Sequence, residues 1–511
     1  RGLYDKDFLD RCCIGFDPEH MPEGADPDDS YVSYLTGVRD GVVKSPSWAE
    51  QITGIPAQKI TELALKYAGS HPAAVVQGLG HQRHAYGEQA VRGGIMLSLI
   101  CGNAGISGGH AGGHGGYLVH AEAGMPIPEN PYGRKIPCFC WTEAVDHGHR
   151  MTSYDGVKSV SSAYSDTGHT GTLRLDSDIK MIFNIASNTL INQHSDINAT
   201  AKLLKDTSKC EFIVTSDIFM TASAMYSDLV LPATSFLEND NFTPPWRFNE
   251  YYAFNNKLAE PVGESRFEYE WMSELAYRLG IGDEFTGGRT CEEWLRAIYA
   301  ELREKEPEMP GYDEFKKMGI YRFRPVKPVI AFEKECRDPE RYPFKTTSGK
   351  IEIYSDAVAK GRYKEYFPAI PGYVDQPEGF RDPLTAKYPL QLIGWHTKRR
   401  AHSVHDNNHS MDKLDPNCLW IHPGDADVRG ISDGDMVIVR NDRGTVQIPV
   451  MVTERIMKGV TAMAQGAWYT PDESGTDKRG CINVLTSLHP TPYAFGNPQH
   501  TNLVEVVKYE K

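Results

Sequence analysis

Gly480-Cys-Ile-Asn-Val-Leu-Thr486 and Gly496-Asn-Pro-Gln-His-Thr-Asn502, read with Gly394-Trp-His-Thr-Lys-Arg-Arg-Ala-His-Ser403 upstream, decide the fold of the C-terminal region. Each places Asn, Thr, His or Arg beside Gly in chain that reads as extended, so hydrogen-bonding groups can approach a large polar ligand closely. Working outward, Gln391-Leu-Ile393 reads as a strand. Asp435-Met-Val-Ile-Val-Arg440 and Thr445-Val-Gln-Ile-Pro-Val450 flank the turn Asn441-Asp-Arg-Gly444 as a hairpin, and Val460-Thr-Ala-Met-Ala464 adds another strand. Short strands separated by turns at regular intervals favour a closed barrel. Such a barrel would carry these segments as one wall of a ligand site.

The chain has 511 residues, 40% apolar and 24% charged, enough for several domains with sizeable cores. A formal charge of -14 argues against a nucleic-acid backbone as partner, while leaving room for a local basic pocket for phosphates. Apolar runs such as Ile95-Met-Leu-Ser-Leu-Ile-Cys101 are too short to span a bilayer. Ten cysteines in so long a chain are no disulfide framework. The close pairs Cys12-Cys13 and Cys138-Phe-Cys140 lack the spacing of a zinc site or an iron–sulfur cluster, and buried or incidental thiols are expected there.

Towards the N-terminus, Ser45-Pro46 caps a helix that Gly54 closes. A second helix starts at Pro56, carries Ile60, Leu63, Ala64 and Tyr67 on one face, and stops near Gly69. The apolar run Ala73-Ala-Val-Val-Gln77 reads as a strand ending in Gly78-Leu-Gly80-His-Gln82, followed by a helix containing Ala90 to Ile100 and the loop Gly102 to Gly109. Strand, glycine loop, helix brings backbone N–H groups to an anionic ligand, although such glycines can equally make only a turn.

Lys180-Met-Ile-Phe183, a helix near Ala199-Leu204 and Phe212-Ile-Val-Thr-Ser216 form a strand–helix–strand unit. Both strand ends then open on one edge of a parallel sheet, where doubly wound folds bind nucleotides. Asn184, Ser187 and Asn188 follow the first strand; Asp217 and Thr221 follow the second. Asp217 could accept from a guanine or ribose, or Ser216-Asp217 could simply cap a helix. Asp228, in Tyr226-Ser-Asp-Leu-Val-Leu-Pro-Ala233, could contact a ligand or serve a strand edge. Helices are expected at Glu268-Arg278 and Glu292-Leu302. Thr347-Ser-Gly-Lys-Ile-Glu-Ile-Tyr354 lacks the full phosphate-loop spacing and is expected to organise a strand.

From Tyr4-Asp-Lys-Asp-Phe-Leu-Asp10 to the C-terminus the chain resembles the molybdopterin oxidoreductases, in particular catalytic subunits of the dimethyl sulfoxide reductase group. The resemblance implies an α/β fold, with parallel-sheet nucleotide-binding domains followed by a C-terminal double-psi-type β-barrel. It divides the chain into the end of a pterin-binding domain (1–112), a guanine-dinucleotide-binding domain (113–240), an irregular connecting region (241–385) and the barrel (386–511). It implies two molybdopterin guanine dinucleotides carrying Mo or W. Their contacts would be Gly78, Gly80 and Gln82; Asn184, Ser187, Asn188, Ser216, Asp217 and Thr221; and Gly394, Trp395, His396, Arg400, His402 and Ser403 in the first barrel loop. Gln465, Trp468, Asn483 and Asn502 would join them from later loops. Two histidines beside arginines in a Gly-started loop read as a pterin–phosphate contact.

No catalytic residue and no protein metal ligand is assigned, because no Ser-His-Asp triad, paired-carboxylate device or zinc motif follows from spacing. His81, His84, His110, His114 and His120 form a histidine-rich stretch for which channel-lining or loop-stabilising roles are expected ahead of metal ligation. Formate dehydrogenases of the family have an Arg where this chain has Ile106, which disfavours formate.

The cluster-binding cysteines and metal-ligating side chain usual in the family precede the stretch that matches, and the chain starts at Arg1 without Met, signal peptide or twin-arginine leader. The expectation is a C-terminal portion of a longer protein, or a processed or cloned fragment, inactive and free of molybdenum and iron by itself. The parent would transfer oxygen from a sulfoxide, N-oxide or similar small molecule. It would work with an iron–sulfur electron-transfer subunit and a membrane-anchor subunit, in the periplasm or at the outer face of the cytoplasmic membrane. A non-catalytic cofactor-binding fragment and a non-redox hydratase or hydroxyl transferase are the alternatives.

Overall fold

The computed structural model describes residues 1–113, 119–160, 173–246 and 249–510. The chain forms two compact units. One comprises Arg1–Gly115, Pro328–Pro377 and His489–Pro498; the other comprises Gly116–Lys327, Glu378–Leu488 and Gln499–Lys511. Residues 328–377 and 489–498 thus leave their sequence neighbours to complete the N-terminal unit.

The first unit begins with α1 (Lys6–Cys12), whose N-cap Asp5 accepts the Phe8 N–H. After a short helix at Tyr31–Thr36 come α2 (Pro46–Thr53), α3 (Ala57–Ala68) and α4 (Gly87–Ile100). Ser45 accepts the Trp48 N–H at the start of α2, and Gly54 ends it at φ 69, a conformation that favours glycine. Phe8, Leu9, Cys12, Cys13, Met96, Leu99, Cys336 and Ile353 share a core. The short strand Cys13–Ile14 pairs in parallel with Ile351–Glu352, so the Thr347–Tyr354 segment does organise a strand.

The α3 helix forms between Pro56 and Gly69 as expected, though none of its residues is buried and Leu63 is 68% exposed. One expectation fails in this unit. Ala73–Gln77 is not a strand among the described residues. Its polar groups are satisfied elsewhere: the Ala73 N–H donates to Asn103 Oδ1 at 3.0 Å, and Gln77 Nε2 donates to the carbonyls of Val91 and Gly112. An apolar run signals burial, whereas a strand also needs a neighbour for its ladder.

The second unit contains a three-stranded parallel sheet, β1 (Met181–Ile185), β2 (Phe212–Asp217) and β3 (Leu229–Pro232), in the order β1-β2-β3. Between β1 and β2 runs α5 (Ile197–Lys205), which buries Ile197, Ala201 and Leu204. The strand–helix–strand reading holds, with β1 running two residues further than expected, so that Asn184 lies within it. Helices α6 (Glu268–Arg278) and α7 (Cys291–Lys305) also form where expected, α7 closed by a Thr290–Glu293 capping box.

The barrel consists of β4 (Leu390–Trp395), β5 (Leu419–Ile421), β6 (Met436–Arg440), β7 (Thr445–Val452), β8 (Val460–Ala464) and β9 (Asn502–Lys508). It closes in the order β4-β8-β5-β7-β6-β9, in keeping with the double-psi type expected. Pairs β4·β8 and β5·β7 are parallel and the rest antiparallel, including the β6·β7 hairpin. Alternate residues Leu390, Leu392, Val437, Val439, Val446, Ile448, Val504 and Val506 fill one core with α5.

Three placements in the barrel correct the sequence reading. Gly394 and Trp395 end β4 instead of lying in the loop after it, and Asn502 opens β9 instead of a loop. Ile482–Val484, read as extended, is a 3-10 turn. Among the described residues no helix is long and apolar enough to cross a membrane.

Candidate functional site

Within the second unit, the carboxyl ends of β1 and β2 gather six of the expected residues. Asn184 is buried and its Nδ2 donates to Ser187 O at 2.8 Å and Thr215 Oγ1 at 3.1 Å, shaping the turn that leaves β1. Ser187 Oγ donates to Thr189 Oγ1 at 2.8 Å. Asn188 accepts the Ser223 N–H on Oδ1 at 3.0 Å, while its Nδ2 is buried without a partner. An amide donor held in place on one side and unmatched on the other is what a site awaiting an acceptor looks like.

Asp217 ends β2. One carboxylate oxygen accepts the Phe219 N–H at 3.2 Å in a local turn, but no helix starts there, so the helix-cap alternative fails, and burial raises its pKa above the usual carboxylate value. Ser216 Oγ points to Glu268 Oε1 at 3.4 Å, and Thr221 Oγ1 accepts the Ala224 N–H at 3.1 Å. Asp228 takes the strand-edge role, accepting the Ile213 N–H at 2.8 Å.

At the barrel mouth, Gln465 leaves β8 and its Nε2 lies 2.7 Å from His396 Nε2 and 2.9 Å from His402 Nδ1. Its Oε1 accepts from Gln499 Nε2 at 2.7 Å. A donor amide facing both rings needs a ring lone pair to accept it. Burial, and then the neighbouring His402, keeps the His396 pKa below its ordinary value. The Gly394 N–H donates to His500 Nδ1 at 3.0 Å. Gly466 sits at φ +94 with no room for a Cβ beside the His402 carbonyl.

Most of the other expected barrel residues make contacts within the protein. Arg400 pairs with the fully buried Asp406, and Trp468 donates Nε1 to Ser403 O at 2.8 Å. Asn483 Nδ2 donates to Asn192 O at 2.8 Å, and Asn502 accepts the Ser487 N–H at 2.9 Å; both amides tie loops together. Trp395 Nε1 is buried without a partner. Asp406 and Asn192 were missed because key partners lie far along the chain, Asp406 reaching Arg479 across 73 positions, while Gln499 and His500 lie in the Gly496–Asn502 segment without having been singled out.

In the first unit Gly78 and Gly80 have open space where a Cβ would stand, and Gln82 lies in the 3-10 turn His81–Arg83 ahead of α4. Gln82 Oε1 and His81 Nε2 are buried without partners, and burial lowers the pKa of both His81 and His84. His110 Nδ1 accepts the Gly112 N–H at 2.8 Å, a loop-stabilising role. In the second unit, His120 stacks on Phe323 with centroids 3.7 Å apart. His114 lies outside the described residues. Among the described residues, only Asp10, Asp17 and His20 are grouped closely enough for an ion, and Asp10 is already paired with Lys6 at 2.6 Å.

Residues 5–278 match the molybdopterin oxidoreductase family, and residues 390–503 match the molydopterin dinucleotide binding domain. The chain is 45% identical to dimethyl sulfoxide reductase DmsA of Escherichia coli (strain K12), over 99% of this chain and 62% of that protein. It is 32% identical to the dimethyl sulfoxide/trimethylamine N-oxide reductase of Cereibacter sphaeroides, again over 99% and 62%. The fold is shared with acetylene hydratase from Pelobacter acetylenicus at a TM-score of 0.65 and 19% identity, covering 99% of this chain and 68% of that one. The chain therefore spans less than two thirds of the length of these reductases. With both its sheet-bearing half and its barrel matched, it belongs to the molybdopterin oxidoreductase family.

Proposed function

We propose that this chain supplies dinucleotide-holding surfaces of a bis-molybdopterin guanine dinucleotide enzyme whose reaction is oxygen-atom removal from a sulfoxide, N-oxide or similar acceptor. The observation that carries it is the buried, unpartnered Asn188 Nδ2 at the carboxyl edge of the parallel sheet, beside Asp217. In the same unit Trp395 Nε1 is likewise buried and unmatched, so the residues present there fit a polar ligand. The four-segment division at 112, 240 and 385 belongs to this reading, as do all the contact residues named from the sequence.

The bound group supplies two-electron redox chemistry at Mo or W. The chain's own residues bind and orient. Asn188 and Asp217 offer a donor and an acceptor to a guanosine, while the His396–Gln465–His402 cluster offers ring and amide edges at the barrel mouth. Gly78 and Gly80 leave backbone accessible on the loop before α4. Ile106 puts no cation where a carboxylate substrate would need one. The similarity to dimethyl sulfoxide and trimethylamine N-oxide reductases supports the acceptor class. An iron–sulfur cluster in the parent polypeptide, an iron–sulfur partner subunit, a membrane anchor and a periplasmic site complete the reading.

The test is a cofactor-loaded preparation of the parent polypeptide, analysed for molybdenum and for guanine nucleotide released by acid. Asp217→Ala and Asn188→Ala should each lower guanine content under limiting cofactor, since a lost hydrogen bond to a charged group costs about 1.5 to 3 kcal/mol. Reduced-dye oxidation should proceed with dimethyl sulfoxide or trimethylamine N-oxide and not with formate. Unchanged guanine content in both variants would remove the sheet edge from the site.

A further inference from the structure

The first barrel loop and the Gln465–Trp468 segment carry much of the proposed cofactor contact, and one buried carboxylate joins them. Asp406 is fully buried. Its Oδ1 accepts from Arg400 Nη1, and its Oδ2 accepts from Arg479 Nε at 2.6 Å and from the Trp468 N–H at 2.8 Å. Its main-chain carbonyl takes Arg479 Nη2, which also reaches Asp412 Oδ2 at 2.8 Å. Burial opposes the Arg479 charge, but the hydrogen bonds to Asp406 and Asp412 outweigh it and raise its pKa. The Arg400 side chain is only 6% exposed.

Backbone geometry shows why the loop needs holding. His402 at φ 54 and His405 at φ 72 are non-glycine residues in the left-handed region, which persists where the surroundings over-determine it. On one side Gly466 packs against the His402 carbonyl, and on the other Trp468 Nε1 holds Ser403 O. Both contacts depend on where the 465–468 backbone lies, and the Trp468 N–H is anchored by Asp406.

We infer that Asp406 is the positioning residue that sets His396, His402 and Gln465 for the dinucleotide, with Arg400 held in the same network. The inference rests on the proposed function of the barrel mouth. A buried ion pair contributes little net stability over apolar side chains, yet losing one partner leaves the other charges uncompensated. Here Asp406 faces Arg400 and Arg479, with Asp412 the further carboxylate of the network. Neutralising Asp406 releases both loops together.

The experiment uses the cofactor-loaded parent polypeptide with Asp406→Asn, Asp406→Glu and Arg400→Lys, beside a control, Glu378→Gln. That control breaks another half-buried fork of the barrel, in which Arg443 Nη1 and Nη2 each donate to Glu378 at 2.7 Å. Three quantities are read: Tm, acid-released guanine nucleotide, and the rate of tryptic cleavage after Lys398 and Arg399 in cofactor-stripped protein. Asp406→Asn should speed that cleavage and lower guanine retention by about tenfold or more, the range typical of residues that orient a ligand-bearing side chain. Glu378→Gln should lower Tm without changing either. Asp406→Glu should recover part of both losses, and Arg400→Lys, which keeps the charge but loses the fork, should show a smaller version of both if Asp406→Asn does not fold.

Cleavage and guanine retention that follow Tm equally in the Asp406 and Glu378 variants would overturn the inference. Faster cleavage with guanine retained at the parent level would also overturn it, by separating loop order from cofactor. If the unsubstituted protein holds no guanine, the proposed function itself fails, and the cofactor role of Asp406 falls with it.

Discussion

His194 is 1% exposed, with its Nε2 2.9 Å from Thr142 Oγ1 and its ring 5.1 Å from that of Trp141. Burial holds its pKa at about 4. The unfolded chain binds this proton near the ordinary imidazole value and the folded chain does so only near 4. Stability from this residue is therefore complete above roughly pH 6.5 and falls as pH drops towards 4, by about 3 kcal/mol in all. His194→Gln, which keeps a polar group for Thr142, should flatten the dependence of the urea midpoint on pH across that window. An equally steep profile in the variant would show that another group is responsible. At this scale the sequence was informative about residue types and poor about their partners. Asn184, Asn188, His396 and Gln465 do converge on two polar edges, but Arg400, read as a phosphate contact, faces a carboxylate six positions on. Nothing local in the sequence shows that this arginine also pairs with a buried aspartate.

Among the elements, β9 closes the barrel by pairing antiparallel with both β4 and β6, and Val506 stands opposite Val439 with both side chains fully buried. Val506→Asp would place an unpaired carboxylate in that core, which costs more than about 4 kcal/mol unless the group is protonated. The expected outcome is loss of the cooperative urea transition at neutral pH; a midpoint like that of the parent would show that β9 is not required for closure. The hairpin β6·β7 was legible because both its strands and its Asn-Asp-Arg-Gly turn lie within one short stretch. The ends of α2 were legible for the same reason, since Ser45 and Gly54 cap their own neighbours. Ala73–Gln77 was misread because β-branched apolar residues report suitability for a strand and carry no information about a pairing partner.

For the molecule as a whole, cofactor that binds only folded protein should raise stability by mass action, by about 4 kcal/mol at a thousandfold excess over the dissociation constant. A loaded preparation should therefore melt several degrees above a stripped one, by scanning calorimetry at matched protein concentration. Coincident melting would mean that the dinucleotide does not rest on the folded core. The formal charge of -14 bears on partners rather than on fold, and the cores form around alternating apolar residues regardless of it.

The sequence by itself determined the strand–helix–strand unit, the barrel hairpin and several helix ends, because periodicity, capping and turn chemistry act over a few residues, and its motifs carried the resemblance to the family. Only the tertiary structure decided three things: that 328–377 and 489–498 complete the N-terminal unit, that β9 closes the barrel, and that Asp406 binds two arginines. Each joins residues distant along the chain, and such pairings are chosen by packing and by the need to match buried charge, neither of which leaves a local pattern.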